Sequence, residues 1–249
     1  PEAKDAKTVK TLKDSIEYRN VTFAYEEKTV LKNVSLKIEK GKTIALVGQS
    51  GSGKTTTGKA LLQLVQSEYD KMLFEGRPID KNNRSDMKQF RQKVQMIYQD
   101  PYQSLNPRDQ ILDIVTEPLV VNQLVPTEEE RLQKGKEALE TAGLYPGEDF
   151  FFRYPYELSG GQRQRVVIAS AMIMNPRFIV ADEPVSMLDA SIRTGILRLM
   201  MSLKEKINLS YLFITHDLSL AARVVEPTSG RVMPGMSCAS WPGMPPSAS

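Results

Sequence analysis

The chain has 249 residues, 41% hydrophobic and 25% charged, enough for one large domain or a core with a subdomain. Its 33 basic and 30 acidic residues leave a formal charge of +3, too small and too dispersed to make nucleic acid the main partner. A single cysteine, Cys238, excludes an internal disulfide framework and a cysteine-rich metal site, and suits a reducing compartment.

Residues 1–14 carry Lys4, Lys7, Lys10 and Lys13 without an apolar stretch, which reads as a frayed, solvated end rather than a secretory signal. Pro1 in place of methionine implies a start further upstream or processing. Residues 15–24 and 34–38 alternate polar and apolar side chains around a turn-forming stretch, as an antiparallel pair of half-exposed strands does. Residues 43–47 are a continuous apolar run that opens into glycines. Residues 178–181 and 211–214 are similar short runs, as strands buried on both faces are. The longest purely apolar stretches, such as 166–169 and 178–181, fall far short of the roughly 20 residues that span a bilayer. Between the core runs, residues 100–164 carry helical patterning. Thr127 with Glu130 forms a capping box, acidic residues 128–130 suit a helix N-terminus, and Gly143 stops a helix over 131–142.

Gly48-Gln49-Ser50-Gly51-Ser52-Gly53-Lys54-Thr55 fits the phosphate-binding pattern G-x-x-x-x-G-K-[ST]. A strand precedes it and a helix over 56–65 follows, the context that separates a true loop from a chance match. The glycines let backbone N–H groups point at phosphate oxygens, Lys54 reaches the terminal phosphates, and Thr55 ligates Mg²⁺. Thr56 continues the contact. Asp182 and Glu183 end the 178–181 strand. Beside a phosphate loop they read as a Mg²⁺ ligand and as the residue that orients or deprotonates an attacking water, whereas alone they would read equally as an acidic surface turn. The single histidine, His216, follows the 211–214 strand where α/β sheets place ligand-binding residues, which favours a γ-phosphate contact over a structural role.

Leu158-Ser159-Gly160-Gly161-Gln162, continuing Arg163-Gln164-Arg165, opens a helix over 162–174 and lies upstream of Asp182. It resembles the signature of the ABC ATPases. The resemblance covers about residues 15–217 and implies roles for further positions. Tyr25 resembles the aromatic that stacks on adenine, and Gln99 the glutamine that senses Mg²⁺ and water. Ser186-Met187-Leu188-Asp189 resembles the D-loop, with methionine where alanine is usual, a departure expected to be tolerated. His216 resembles the switch histidine. The implied fold is α/β: a P-loop NTPase (RecA-like) core with an antiparallel β subdomain and an inserted α-helical subdomain. The corresponding divisions are a flexible end (1–14), the β subdomain with the P-loop part of the core (15–99), the helical subdomain ending in the signature (100–164), the second part of the core (165–225) and an atypical tail (226–249).

The resemblance further implies that two such domains stack head to tail, each ATP lying between one phosphate loop and the other subunit's Ser159, Gly160, Gly161 and Gln162. Hydrolysis would open the pair and be relayed to membrane permease subunits that dock around Gln99 and the helical subdomain, which places the chain on the cytoplasmic, inner face of the membrane. The strings running from Gln99 to Arg108 and from Tyr154 to Ser159 look like the ATP-binding subunits of oligopeptide and dipeptide importers, whose relatives also move nickel and some sugars. Those ATPases pair with an identical or a related chain. A soluble ABC protein acting on ribosomes or DNA is the rival class. It fits less well, because the chain carries neither a second cassette nor a long coiled coil. A non-hydrolysing relative is disfavoured by the presence of Lys54, Asp182, Glu183 and His216.

After Asp217 the pattern decays. Residues 218–225 begin a helix, but 227–249 are rich in proline, glycine, serine and methionine, with Arg231 the one charged residue. The stretch does not read as a core-completing strand. It fits weak disorder, or a truncated or frame-shifted end that leaves the sheet edge beside the His216 strand exposed.

Overall fold

The structure, a computed structural model, describes residues 15–25, 28–225 and 232–233. The end expected to be frayed over 1–14, and the tail apart from those two residues, lie outside the described residues.

The chain begins with the antiparallel pair β1 (Ser15–Tyr25) and β2 (Lys28–Glu39). β2 starts at Lys28 rather than at residue 34, because Leu31 is already a core residue. The register shifts near Asn20 and Asn33, at φ 53° and 54°, a left-handed conformation that asparagine tolerates better than most residues. β3 (Thr43–Val47) is as expected, but α1 (Lys54–Leu61) stops before residue 65. The Leu61 carbonyl accepts from the buried Tyr18 hydroxyl at 2.7 Å, and Gln63 turns left-handed at φ 53°.

Three strands carry no sequence signal strong enough to anticipate. β4 (Lys71–Phe74) and β5 (Arg77–Pro78) form a hairpin around Glu75 and Gly76, both at positive φ. α2 (Arg84–Lys93) runs directly into β6 (Val94–Ile97). There follow α3 (Pro101–Ser104), α4 (Ile111–Val121), α5 (Glu128–Thr141), two 3-10 turns (Gly147–Phe150 and Pro155–Glu157) and α6 (Gly160–Met172). Thr127 Oγ1 caps α5 by accepting from Glu130 N at 3.2 Å. Only this threonine half of the expected box forms; a full reciprocal box occurs instead at Ser159 and Gln162. Gly143, at φ 78°, ends the segment as expected. The chain continues through β7 (Phe178–Asp182), α7 (Ala190–Ile207), β8 (Ser210–Thr215), α8 (Leu218–Val224) and β9 (Val232–Met233).

Two sheets result, an antiparallel one in the order β2-β1-β4-β5 and a parallel one in the order β6-β7-β8-β3-β9. Every residue of β7 and β8 is buried, which is why both read as unbroken apolar runs. Alternate residues serve two cores. Ile179, Ala181, Tyr211 and Phe213 pack with helices α4 to α7, while Phe178, Val180, Leu212 and Ile214 pack with α1, α2 and the antiparallel sheet. Among the described residues, no helix is long and apolar enough to cross a membrane.

The topology corrects the expectation for the tail. β8 is an interior strand between β7 and β3, so the sheet has no edge beside His216. Within the stretch that did not read as a strand, Val232 and Met233 pair in parallel with Ala45 and Leu46 of β3.

α1 lies close on the sheet because Gly58 faces it. A Cβ there would come within 2.8 Å of Val180 Cγ1 and 3.1 Å of Ile214 Cδ1. Gly58→Val should therefore destabilise the fold by about 1–3 kcal/mol, the usual range for overpacking, as read from a lowered urea midpoint. An unchanged midpoint would mean that α1 sits further from the sheet than described.

Candidate functional site

In a parallel sheet all strands end at the same edge, so residues that follow them in sequence are gathered in space. Here Gln99 follows β6, Glu183 follows β7, His216 follows β8 and Gly48 follows β3, and these four strands are consecutive neighbours. Segments far apart in the chain thereby meet at one rim.

The phosphate loop is shaped by Gly51 and Gly53, at φ 80° and 82°, a region that residues with a Cβ rarely occupy. Gly53 hands the chain directly to α1. Lys54 is buried, and its Nζ donates to the carbonyls of Gly48 and Gln49, both at 2.7 Å. An ammonium has three donors, so two brace the loop and one remains for an anion. Gln49, Ser50 and Gly51 are exposed at the tip, with Ser52 N bonded back to Gln49 O at 3.3 Å.

Thr55, Asp182 and Gln99 line one cleft of about 670 Å³, together with Met187 and residues of α4 and α6. Asp182 is only 3% exposed. Burial raises its carboxyl above the ordinary value; the Thr55 hydroxyl, which donates to it, acts the other way, neighbouring Glu183 raises it further, and Lys54 and Lys59 lower it. A desolvated carboxylate, a hydroxyl and an amide oxygen are the hard donors that a small divalent cation takes, so these residues fit Mg²⁺.

Glu183 is the most constrained residue at the rim. It holds φ 46°, unusual for a residue other than glycine and a mark of a position that the surroundings enforce. Its N–H donates to Ile214 O at 2.9 Å, and its carbonyl accepts from both the backbone N and Oγ of Ser186, at 3.1 and 3.0 Å. The side-chain oxygen Oε2 is shared: His216 Nδ1 lies 2.9 Å away and Gln99 Nε2 3.3 Å away. Oε1 is the oxygen left to accept from a water. His216 is exposed, and with Nδ1 turned to Glu183 its Nε2 is the atom available to a ligand. The supporting role of Ser186 was not anticipated from the sequence, where it stood only as part of the D-loop string.

Other expected residues lie elsewhere. Ser159 caps α6, its Oγ accepting from Gln162 N at 3.3 Å while Gln162 Oε1 accepts from Ser159 N at 2.9 Å. No hydrogen bond among the described residues joins Ser159, Gly160, Gly161 or Gln162 to the phosphate loop. Gly161 also has a packing role, since a Cβ there would meet Ile192 of α7 at 2.8 Å. Asp189 is the N-cap of α7 and is exposed. Met187 is 61% exposed. Tyr25 ends β1, but its side chain falls outside the described residues.

The family model for the ABC transporter matches residues 31–186. The oligopeptide transport ATP-binding protein OppF of Bacillus subtilis is 46% identical over 195 residues, which cover 78% of this chain and 63% of that protein. The dipeptide transport ATP-binding protein DppF of Lactococcus lactis is 44% identical over 221 residues, covering 86% of this chain and 70% of that protein. The chain thus spans 63% and 70% of the lengths of these two relatives. Among solved structures, a dimeric, post-hydrolysis ATP-binding cassette bound to ADP and Pi matches with a TM-score of 0.71 at 30% identity, covering 85% of this chain and 91% of that one.

Because Asp182 is raised in the fold, its charge costs stability wherever it ionises. The cost is absent below the ordinary carboxylate value of 3.8, where the group is protonated both folded and unfolded, and it grows to its full size as pH rises through the folded value. Asp182→Asn, which keeps an acceptor for Thr55, should therefore melt at a higher temperature than the parent at neutral pH in EDTA, with the gain fading in acid. A lower melting temperature at neutral pH would mean that Lys54 and Lys59 outweigh the burial.

Proposed function

The chain belongs to the ABC transporter family, and we propose that it is an ATP-binding and ATP-hydrolysing subunit that drives import of oligopeptides or dipeptides through membrane permease subunits. The observation that carries this reading is the shared Glu183 oxygen. A carboxylate held by Gln99 and His216 at the end of β7, next to a phosphate loop on β3, is equipped to act on a water aimed at a terminal phosphate. The peptide cargo rests on the likeness to the OppF and DppF proteins.

In this reading the phosphates lie against the N–H groups of Gly48 to Thr56, with the free Lys54 donor on the terminal groups and Tyr25 at the adenine. Thr55 and Asp182, with Gln99 at the rim, would hold Mg²⁺, which when bound neutralises charge on the β- and γ-phosphates. Glu183 Oε1 accepts the hydrogen of the attacking water and takes its proton as the bond from water oxygen to the γ-phosphorus forms and the bond from that phosphorus to the β–γ bridging oxygen breaks, so that ADP leaves with the electron pair. Gln99 and His216 fix the orientation of the carboxylate, and His216 Nε2 faces the γ-phosphate. Ser159, Gly160, Gly161 and Gln162 close over the ATP of a second cassette, identical or related, with Asp189 at the same contact. The ligand shared by the two halves holds them together, and its cleavage releases them. The permease subunits would seat this chain peripherally on the cytoplasmic face of the membrane.

Glu183→Gln should bind Mg-ATP as the parent does but hydrolyse it roughly 10²- to 10⁴-fold more slowly, the usual cost of losing a general base. Unchanged phosphate release would remove Glu183 from the chemistry. In the same variant, light scattering should report a dimer that forms only with Mg-ATP, either alone or with a related ATPase chain; a monomer under both conditions would contradict the cross-subunit role of Ser159. Lys54→Ala should weaken ATP binding, and normal affinity would sink the assignment of its third donor.

A further inference from the structure

Met187 follows the residue that braces Glu183. Ser186 donates from both its backbone N and its Oγ to the Glu183 carbonyl, at 3.1 and 3.0 Å. On the other side of Met187, Leu188 is buried, and its carbonyl accepts from Arg193 Nη2 at 3.2 Å. The backbone at 187 is thus held from both directions. Its side chain, 61% exposed, stands in the wall of the cleft that also takes in Thr55, Gln99 and Asp182.

A thioether in that position differs from the other methionines whose side chains are described. Met72, Met87, Met172 and Met200 are buried, and Met96, Met174 and Met201 are partly buried. An oxidant must reach the sulfur lone pair to react with it, so exposure sets the order in which methionines oxidise. Among these residues Met187 is the one that an oxidant in solution meets first. The sulfur also sits at the position of the Ser186-Met187-Leu188-Asp189 string where alanine is usual, so it is an addition to the rim.

We propose that Met187 is a site of reversible oxidation, at which hydrogen peroxide suppresses the hydrolysis assigned to Glu183. The proposal rests on the reading of the chain as an ATPase. A sulfur lone pair attacks one peroxide oxygen, the O–O bond breaks, and the departing hydroxide takes the proton of the transferred hydroxyl. Sulfur is oxidised and peroxide reduced, leaving methionine sulfoxide and one water. The change turns a flexible apolar side chain into a polar, chiral one with an acceptor oxygen. That oxygen adds partial negative charge to a wall already carrying the Asp182 carboxylate, and so opposes the anionic phosphates that the site must admit. The side chain projects into solvent, so the core is left as it was. The two methionine sulfoxide reductases, one for each epimer, restore the thioether.

The test is brief exposure of the full chain to hydrogen peroxide, with peptide mass mapping, melting temperature and phosphate release read on the same sample. The Met187 peptide should gain one oxygen before those of Met72, Met87, Met172 and Met200. Phosphate release should fall to a minor fraction while the melting temperature holds, and treatment with both reductases should restore it. Met187→Leu, which keeps the bulk without the sulfur, should retain its own untreated rate after the same exposure. If the buried methionines gain oxygen before Met187, or if Met187 is oxidised and the rate persists, the proposal is refuted. A Met187→Leu variant that loses as much of its rate as the parent would place the damage elsewhere, at Cys238 or another methionine, and refute it equally. A chain that releases no phosphate before exposure would overturn the ATPase reading, and the suppression with it, whereas the order of oxidation is read independently of that activity.

Discussion

Asp182 is the last residue of a strand buried along its whole length, and the next residue, Glu183, leaves the sheet in a left-handed conformation. That turn is the constraint on which the rim depends. A carboxylate is costly to desolvate, so Asp182 needs Thr55 and the lysines of α1 near it, while Glu183 must be swung to where polar side chains can reach it. The neighbours of β7 meet this demand from both sides, with Gln99 arriving from β6 and His216 from β8. Strand order, more than any single motif, brings the three together. The backbone bonds from Glu183 to Ile214 and from Ser186 to Glu183 hold a conformation that the residue would not adopt unaided.

The same arrangement keeps apart the two segments proposed to contact phosphate. The loop after β3 is braced from within by Lys54 and shaped by Gly51 and Gly53. Ser159 and Gln162 satisfy each other at the head of α6, and among the described residues no hydrogen bond joins them to that loop. The Gln99 loop touches Glu183 on one side and Arg163 through Tyr102 on the other.

Much of this was legible in the sequence where burial is complete. The strands at Thr43–Val47, Phe178–Asp182 and Ser210–Thr215 announce themselves because both of their faces are apolar, and the residues that follow them could be assigned to the rim. β6 could not be read in the same way. It is four residues long, contains Gln95, and follows α2 without any turn residue, so nothing in the sequence marks where the period changes. The hairpin of β4 and β5 turns on Glu75-Gly76, a pair that carries a weaker turn signal than Asn-Gly or Asp-Gly. α1 was overextended because Leu62, Leu64 and Val65 continue an apolar pattern past the point where Tyr18 claims the Leu61 carbonyl. For α1 a tertiary contact overrides the local pattern, whereas β6 and the hairpin lack a strong local signal. β9 and the placement of the Arg163 guanidinium over the Tyr102 ring also depend on segments far apart in the chain.

His216 holds Glu183 at the end of β7. Because His216 is the single histidine of the chain, ¹⁵N nuclear magnetic resonance of the imidazole reports on this contact without ambiguity. Nδ1 should carry a proton in the parent, and its signal should move when Glu183 is replaced by alanine. An imidazole protonated on Nε2 alone, and indifferent to the loss of Glu183, would contradict it.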